Sequence, residues 1–523
     1  MTGVRRLFAT VGAGAVVTAL SLSATAADYH VTTDGTPQGD GSEGSPWDLA
    51  TALAQPSAVA PGDTIWLHDG TYEGSFVGDL DGAEGDPIVV RSAPGEWARI
   101  DGATSTETTF EFGGSHAWYW GFEITNTEPD RWGGRPEGVR VLGPELKLIN
   151  LVIHDLGNNG FWNPAENLEV YGCLIYHNGY DDTDRGHGHG VYTQNSTGTK
   201  VFEDNVIFGG YSFGIHAYTE GGSIQGFDVI GNTWFNAGVI SSVSGHKDDC
   251  LIGGLQPAAR IDLRENLSWA SSPTARTVQL GYSVPNEDVS LADNTFVGET
   301  NFSEPWTTIT MTGNTFYSSV VGVDTASYPN NTYLAEAPTT DWIFVRPNRY
   351  EERRAHITAY DWDGDETVAA DLSEVLSPGD SYELRNAQAY FEAPVATGTY
   401  DGSPIAIPMA NLEPAQPIGT PGALDPSDRT DPDFNVFVLI GTEGEPIDPP
   451  DGGAGGASSS SGAGGSSSSS SGTGGANSSA PTEDSSCGCR LVGGATVPRV
   501  LGALALAFLG AAAIGRRRRQ PLP

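Results

Sequence analysis

Lysine is almost missing from this chain. Only Lys147, Lys200 and Lys247 occur, and all basic residues together number 26 against 66 acidic ones. The formal charge is −40. Setting aside Arg5 and Arg6, together with the six arginines from Arg490 to Arg519, takes it to −48. So negative a body excludes nucleic acid or an anionic membrane surface as its partner. It disfavours a polyanionic substrate unless the cleft is locally basic. Few lysines and many aspartates suit an exported protein that meets calcium. Cysteine is scarce as well. The body has two, Cys173 and Cys250. Export permits a disulfide, but the repeat described below places them about three coils apart, so two free buried thiols are expected.

With 523 residues, the chain is too long for one ordinary domain and predicts two folded units plus processing segments. Arg5 and Arg6, an apolar run from Leu7 to Leu22 and the small residues Ala24 to Ala27 make residues 1–27 a secretory signal peptide. At the other end, 443–486 is nearly all Gly, Ser, Ala and Pro. It cannot bury enough apolar area to fold and reads as a stalk. In 487–523, Cys487-Gly488-Cys489 precedes an apolar stretch from Val497 to Ile514 and the cluster Arg516 to Arg519. That stretch is just long enough to cross a bilayer, and the arginines keep the body outside. Cysteine, span and arginine cluster together resemble the MYXO-CTERM sorting signals of myxobacteria. The resemblance implies processing near the cysteines and display on the cell surface. The protein is expected to be a monomer, exported and tethered to the cell envelope through its C-terminus.

Self-similarity decides the architecture of the body. Leu146-Lys-Leu-Ile-Asn-Leu-Val-Ile-His-Asp-Leu-Gly157 repeats as Leu168-Glu-Val-Tyr-Gly-Cys-Leu-Ile-Tyr-His-Asn-Gly179. Related segments carry landmarks at Leu151, Cys173, Asn205, Asn232, Asn266, Asn294 and Asn314, spaced by 22, 32, 27, 34, 28 and 20 residues. Coils of that length with short alternating strands predict an all-β chain, a right-handed parallel β-helix over 28–335. Stacked Asn side chains would form a ladder at one turn. A short amphipathic helix over Pro46 to Pro56 would cap the exposed first coil, followed by a turn and strand from Pro61 to Tyr72. This opening and the coils resemble pectate-lyase-like β-helix proteins, including the chondroitinase B and alginate lyase group. From about Asp341 the alternation changes to antiparallel strands: Ile343 to Arg346, Ala355 to Trp362, Ser381 to Arg385 and Phe434 to Ile440. Residues 336–442 are expected to be a small β-sandwich, similar to modules appended to secreted carbohydrate-active proteins, or a cap on the solenoid's C-terminal end.

A Gly-apolar-X motif recurs at Gly138-Val139-Arg140, Gly160-Phe161-Trp162, Gly190-Val191-Tyr192, Gly214-Ile215-His216 and Gly238-Val239-Ile240. Period two sends the apolar members inward. It sends Arg140, Trp162, Tyr192 and His216 outward as one column, with Gln194 and Tyr218 in a second column beside it. Flat rings and polar tips suit a sugar polymer. The long segment Tyr180 to His189 enters this face, and seven of the ten histidines lie between His116 and His246.

In this segment Asp181, Asp182 and Asp184, with His187 and His189, are candidate metal ligands. The oxygens alone would suit Ca²⁺ and the histidines a transition metal. His189 or His216 is a candidate catalytic base. The same residues can equally serve only to hold a turn, with Gly186, Gly188 and Gly190 allowing tight backbone. His246-Lys247-Asp248-Asp249 is a secondary candidate. Similar Gly-His-Gly-(Ile/Val)-Tyr stretches occur in other β-helix proteins.

Uronate β-elimination needs a neutralised carboxylate, offered by Arg140, Arg185 or Ca²⁺. It also needs a proton acceptor and donor, offered by His216, His189 or Tyr192. Trp162, Gln194, Tyr218, Arg185 and His187 would bind substrate. Hydrolysis needs two facing carboxyl groups. The columns carry none, although Glu220 and Asp184 are near, so a lyase or epimerase is favoured over a hydrolase. The chain departs from the named families in lacking their Lys and Arg spacing, their calcium carboxylate set and an Asp-Pro-His motif. The expected function is a polysaccharide lyase on a uronic-acid polymer. The alternatives are a non-catalytic glycan-binding or adhesin-like protein, and a hydrolase or epimerase on the same scaffold.

Overall fold

The computed structural model describes residues 26–102, 106–272 and 274–443. The expected signal peptide up to Thr25, most of the stalk and the C-terminal sorting signal lie outside them. Among the described residues no helix is long and apolar enough to cross a membrane.

The chain winds as a right-handed parallel β-helix, and each coil contributes a strand to three walls in turn. The first wall has eleven strands, from Asp28–Val31 to Trp306–Thr312. The second also has eleven, from Gly70–Glu73 to Thr332–Leu334. The third has ten, from Phe76–Gly78 to Val320–Val321. Alternation explains the first wall: in Ala258–Arg264, Ile261 and Leu263 point in, and Asp262 and Arg264 point out. The helix Leu49–Leu53, capped by Asp48, seats Leu49, Ala52 and Leu53 on the open first coil.

The corner between the first and second walls carries the Asn ladder. Asn205, Asn232, Asn266, Asn294, Asn314 and Asn331 each accept from the backbone N–H of the ladder residue one coil earlier, at 2.9–3.0 Å. The residue before each of the first five rungs (Asp204, Gly231, Glu265, Asp293 and Gly313) is left-handed, the conformation that turns the corner and favours Gly, Asn or Asp. Cys173 and Cys250 are free and buried.

The C-terminal region forms a five-stranded antiparallel sheet containing Arg354–Tyr360 and Phe434–Thr442, and a two-stranded sheet of Thr367–Ala370 and Ile405–Pro408. The two pack through Ile357, Val368, Leu384, Ile407 and Leu439. The other face of the larger sheet covers the second wall sideways: Val152, Leu174, Val206, Phe208 and Phe235 meet Tyr360, Phe434, Val436 and Val438. The alternative of a terminal cap is thereby corrected. The physical reason is that the outer face of this wall carries an apolar band, Val152, Leu174, Val206, Phe208, Phe235 and Trp269, that has to be covered. Lys147–Tyr350 (2.9 Å), Arg349–Glu203 (2.8 Å) and Arg346–Glu265 (2.8 Å) fasten the edge. Since this sheet occupies the second wall, the column face of the third wall lies clear of it.

Candidate functional site

The third wall's register places Glu111, Arg140, Trp162, Tyr192 and His216 side by side on successive coils. Their neighbours Phe110, Val139, Phe161, Val191 and Ile215 are buried in the core. The glycines that open these strands are required by crowding. A Cβ on Gly214 would lie 2.3 Å from the Asp249 carbonyl oxygen, and one on Gly160 would lie 2.4 Å from the Asn178 side chain. The column continues from His216 to Leu251, Gln279 and Asn301. Gly238-Val239-Ile240 does not supply its next strand. Those residues form a turn in an enlarged loop, and Cys250–Ile252 takes the place.

At the head of the column Arg140 pairs with Glu111 at 3.1 Å and lies 5.2 Å from the Trp162 ring centre. At its centre His216 Nδ1 is 3.0 Å from His189 Nε2. The two rings meet edge to face at 4.3 Å, and Tyr192 lies 5.6 Å from His216 and 5.7 Å from His189. Phe213 and Tyr218 stack on His216 at 4.7 and 4.8 Å, and Tyr282 closes on Tyr218. Gln194 lies beside Tyr192 and hydrogen-bonds its phenol. Burial holds His216 well below its ordinary range, with the neighbouring His189 and Arg185 adding to the effect. His189 is depressed for the same first reason, helped by Arg185 and His187. Both rings are therefore neutral at pH 7. The pair shares one proton: on His216 Nδ1 it leaves the His216 Nε2 lone pair to accept, and on His189 Nε2 it makes His216 Nε2–H a donor. Burial, with Glu220 and Glu137 nearby, raises the Tyr192 phenol. It stays protonated and is a donor.

The segment Tyr180 to His189 folds as a ribbon, Tyr180–Asp181 against Gly186–His187. It delivers His189, whose N–H donates to Asn159 Oδ1 at 3.1 Å and whose carbonyl accepts from Gly160 at 2.9 Å. Gly188 is obligatory there. It is left-handed, and a Cβ on it would fall 1.4 Å from the Asn158 carbonyl oxygen.

The expected metal set is not assembled. Asp181 is buried and accepts from Ser241 Oγ (2.6 Å), Ser242 N (2.8 Å) and Ser242 Oγ (2.7 Å), which ties two loops together. Asp182 caps its own turn through Thr183 N–H at 2.6 Å. Asp184 pairs with His187 at 2.8 Å, and His187 stacks on Tyr180. The carboxylates are consumed by turn and loop bonds, which is the structural role weighed above. Arg185 is exposed beside the histidine pair. The secondary candidate is likewise engaged: Arg276 binds Asp248 at 2.6 Å, and His246 faces Asp249 at 3.8 Å.

Sequence reasoning missed Glu111, although aligning Phe110-Glu111-Phe112 with Val139-Arg140-Val141 would have found it. It also missed Glu137. This carboxyl is raised by burial, accepts from Asn158 and Asn159, and lies within electrostatic reach of Arg140 and Tyr192.

Residues 29–246, which include the histidine pair and the whole column from Glu111 to His216, match the family model described as Pel9A-like, right handed beta helix region. The match falls within the β-helix and spans a little under half of the chain. Among solved structures the chain is similar to the pectate lyase Pel9A, with 18% identity over 59% of this chain and 78% of that one and a TM-score of 0.43. It is also similar to a rhamnogalacturonan lyase, with 15% identity over 59% and 84% and a TM-score of 0.44. An alginate lyase from Paenibacillus sp. str. FPU-7 shows 18% identity over 59% and 97%, with a TM-score of 0.36. No curated protein matches the chain in sequence.

Proposed function

We propose that this chain is a surface-displayed polysaccharide lyase that acts, as a monomer, on a uronic-acid-containing polymer bound along the third wall. The observation that carries the reading is the neutral His189–His216 pair packed against the protonated Tyr192 on that wall, in line with Trp162 and Arg140. In β-elimination the His216 lone pair would take the proton from C5. The electron pair so released would form the C4–C5 double bond as the C4–oxygen bond breaks, and Tyr192 would protonate the departing oxygen. Arg140 and Arg185 are the cations available for the uronate carboxylate. Trp162 offers a flat face to a sugar ring. The signal peptide, stalk and C-terminal sorting signal support export and display, with the membrane anchor at the C-terminus.

A screen of uronic-acid polymers for new ultraviolet absorbance tests this directly, because elimination creates a conjugated double bond and hydrolysis does not. Wild-type protein is expected to give product from at least one polymer, and His216→Ala none. If no polymer yields product, the lyase reading fails.

One observation favours the second reading, a glycan-binding or adhesin-like protein without catalysis. Arg140 already has Glu111 as a counter-ion, so its charge is shared before any uronate arrives. Retention of a polymer on the immobilised protein, with no turnover, would select that reading.

A further inference from the structure

We infer that Asp341, Asp361 and Asp363 form a calcium site that locks the open end of a C-terminal hairpin where it packs beside the solenoid. One carboxylate oxygen from each lies within 4.8 Å of the others. The arrangement follows from the strand register. Trp342–Pro347 and Arg354–Tyr360 pair antiparallel, with Trp342 opposite Tyr360. Asp341 and Asp361 therefore sit just beyond the last pair, at the open end of the hairpin. Asp363 follows at the next turn, which the left-handed Gly364 closes.

The decisive observation is Asp361. It is only 4% exposed. Its Oδ1 accepts from Gly364 N–H at 2.7 Å, while its Oδ2 is buried with no hydrogen-bond donor. A buried carboxylate oxygen without a donor is costly, and here two further carboxylates stand beside it. Asp341 and Asp363 each spend one oxygen on a backbone N–H, of Trp362 (2.9 Å) and Asp365 (3.2 Å). Among the described residues none of the three is in an ion pair with Arg, Lys or His.

An oxygen-only set with three carboxylates matches Ca²⁺, which takes six to eight oxygens at about 2.3–2.6 Å and completes its shell with water. Histidine and cysteine, which transition metals prefer, are absent from the set. The position explains what the ion would do. Asp361, Trp362 and Asp363 line one side of a cleft whose other side is Trp269, Val297 and Tyr317 of the second wall. Trp362 meets Tyr317 edge to face at 5.4 Å. An ion here would hold the sheet where it leaves the last coils. This site is separate from the histidine column and does not depend on the lyase reading.

The test uses the full-length protein stripped with EDTA and titrated with CaCl2, with MgCl2 in parallel. Calorimetry is expected to give one Ca²⁺ per chain. Thermal unfolding is expected to rise by about 3 °C at a hundredfold excess over Kd, with a smaller response to Mg²⁺. Asp363→Asn, at an exposed position, should abolish the calcium response and leave the EDTA-treated fold intact. Asp361→Asn should also abolish it and, in EDTA, unfold no lower than wild type, because it removes the repulsion. Asp184→Asn should keep the full response. No calcium-dependent shift and no binding heat in wild type, or a response that survives in both Asp361→Asn and Asp363→Asn, overturns the assignment.

Discussion

Replacing Asn266 by alanine should test the solenoid at its most interconnected corner. Asn266 is fully buried. Its Oδ1 accepts from Asn232 N and Asn232 Nδ2, both at 3.0 Å, and its Nδ2 donates to Val229 O (2.7 Å) and Asn294 Oδ1 (2.9 Å). Truncation removes all four bonds, but their losses differ. Asn232 Nδ2 keeps Phe202 O at 2.8 Å, and Asn294 Oδ1 keeps Asn266 N–H at 2.9 Å. The Asn232 backbone N–H loses its acceptor in a site closed to water. One orphaned buried donor costs about 2 kcal/mol, and the remaining bonds add up to about 2 more, a total of about 4 kcal/mol. The last rung, Asn331, is partly exposed. There water replaces the lost partners, and Asn331→Ala should cost about 1 kcal/mol. Urea unfolding followed by tryptophan fluorescence reads both variants. If Asn266→Ala stays within about 1 kcal/mol of wild type, or Asn331→Ala costs as much as Asn266→Ala, the ladder is not the determinant described here.

Three further outcomes are expected. Acid should destabilise the protein from about pH 6.5, well above ordinary carboxylate titration. Burial pushes His177 down to about 4 and His356 down to about 3. The unfolded chain therefore binds protons that the folded one refuses, and stability present above pH 6.5 is lost as pH falls toward those values. Each ring costs about 1.4 kcal/mol per pH unit in that window. His154, raised on balance because its bonds to Asp155 and Glu123 outweigh burial, works in the opposite direction, so His356→Asn should flatten the fall in melting temperature between pH 7 and pH 5. Tyr192→Phe should lower kcat by about a hundredfold or more through loss of the proton donor, with an unchanged melting temperature; an unchanged kcat removes Tyr192 from the chemistry. Trp162→Ala should raise KM far more than it lowers kcat, because the ring offers contact area and no proton; a kcat effect alone would contradict that role.

Much of the fold and of the column is legible in the sequence for local, physical reasons. Val139, Phe161, Val191 and Ile215 each follow a glycine and alternate with one outward residue, so the register of Arg140, Trp162, Tyr192 and His216 is written locally. It fails at Val239 because the loop enlargement shifts the strand to Cys250–Ile252, where Asp249 stands in place of the glycine. The sideways seat of the C-terminal sheet had a readable signal: Val152-Ile153-His154, Leu174-Ile175-Tyr176 and Val206-Ile207-Phe208 do not alternate, and all nine residues are buried. Strands buried on both faces need a cover on both sides. The contact of His189 with His216 was not legible, because it depends on a ribbon returning across 27 residues. The aspartates of Tyr180 to His189 misled as a metal set because local density of carboxylates says nothing about convergence. Turn N–H groups, serines and His187 take their oxygens, while the group that does converge is drawn from two strand ends about twenty residues apart.

Amide hydrogen exchange with a saturating uronic-acid oligosaccharide would locate the binding surface. Protection is predicted in 139–141, 161–163, 191–194 and 215–218, the strands that carry the Arg140-to-His216 column. Protection confined instead to the cleft beside Trp97, Trp120 and Tyr390, where the C-terminal sheet meets the solenoid, would contradict the account.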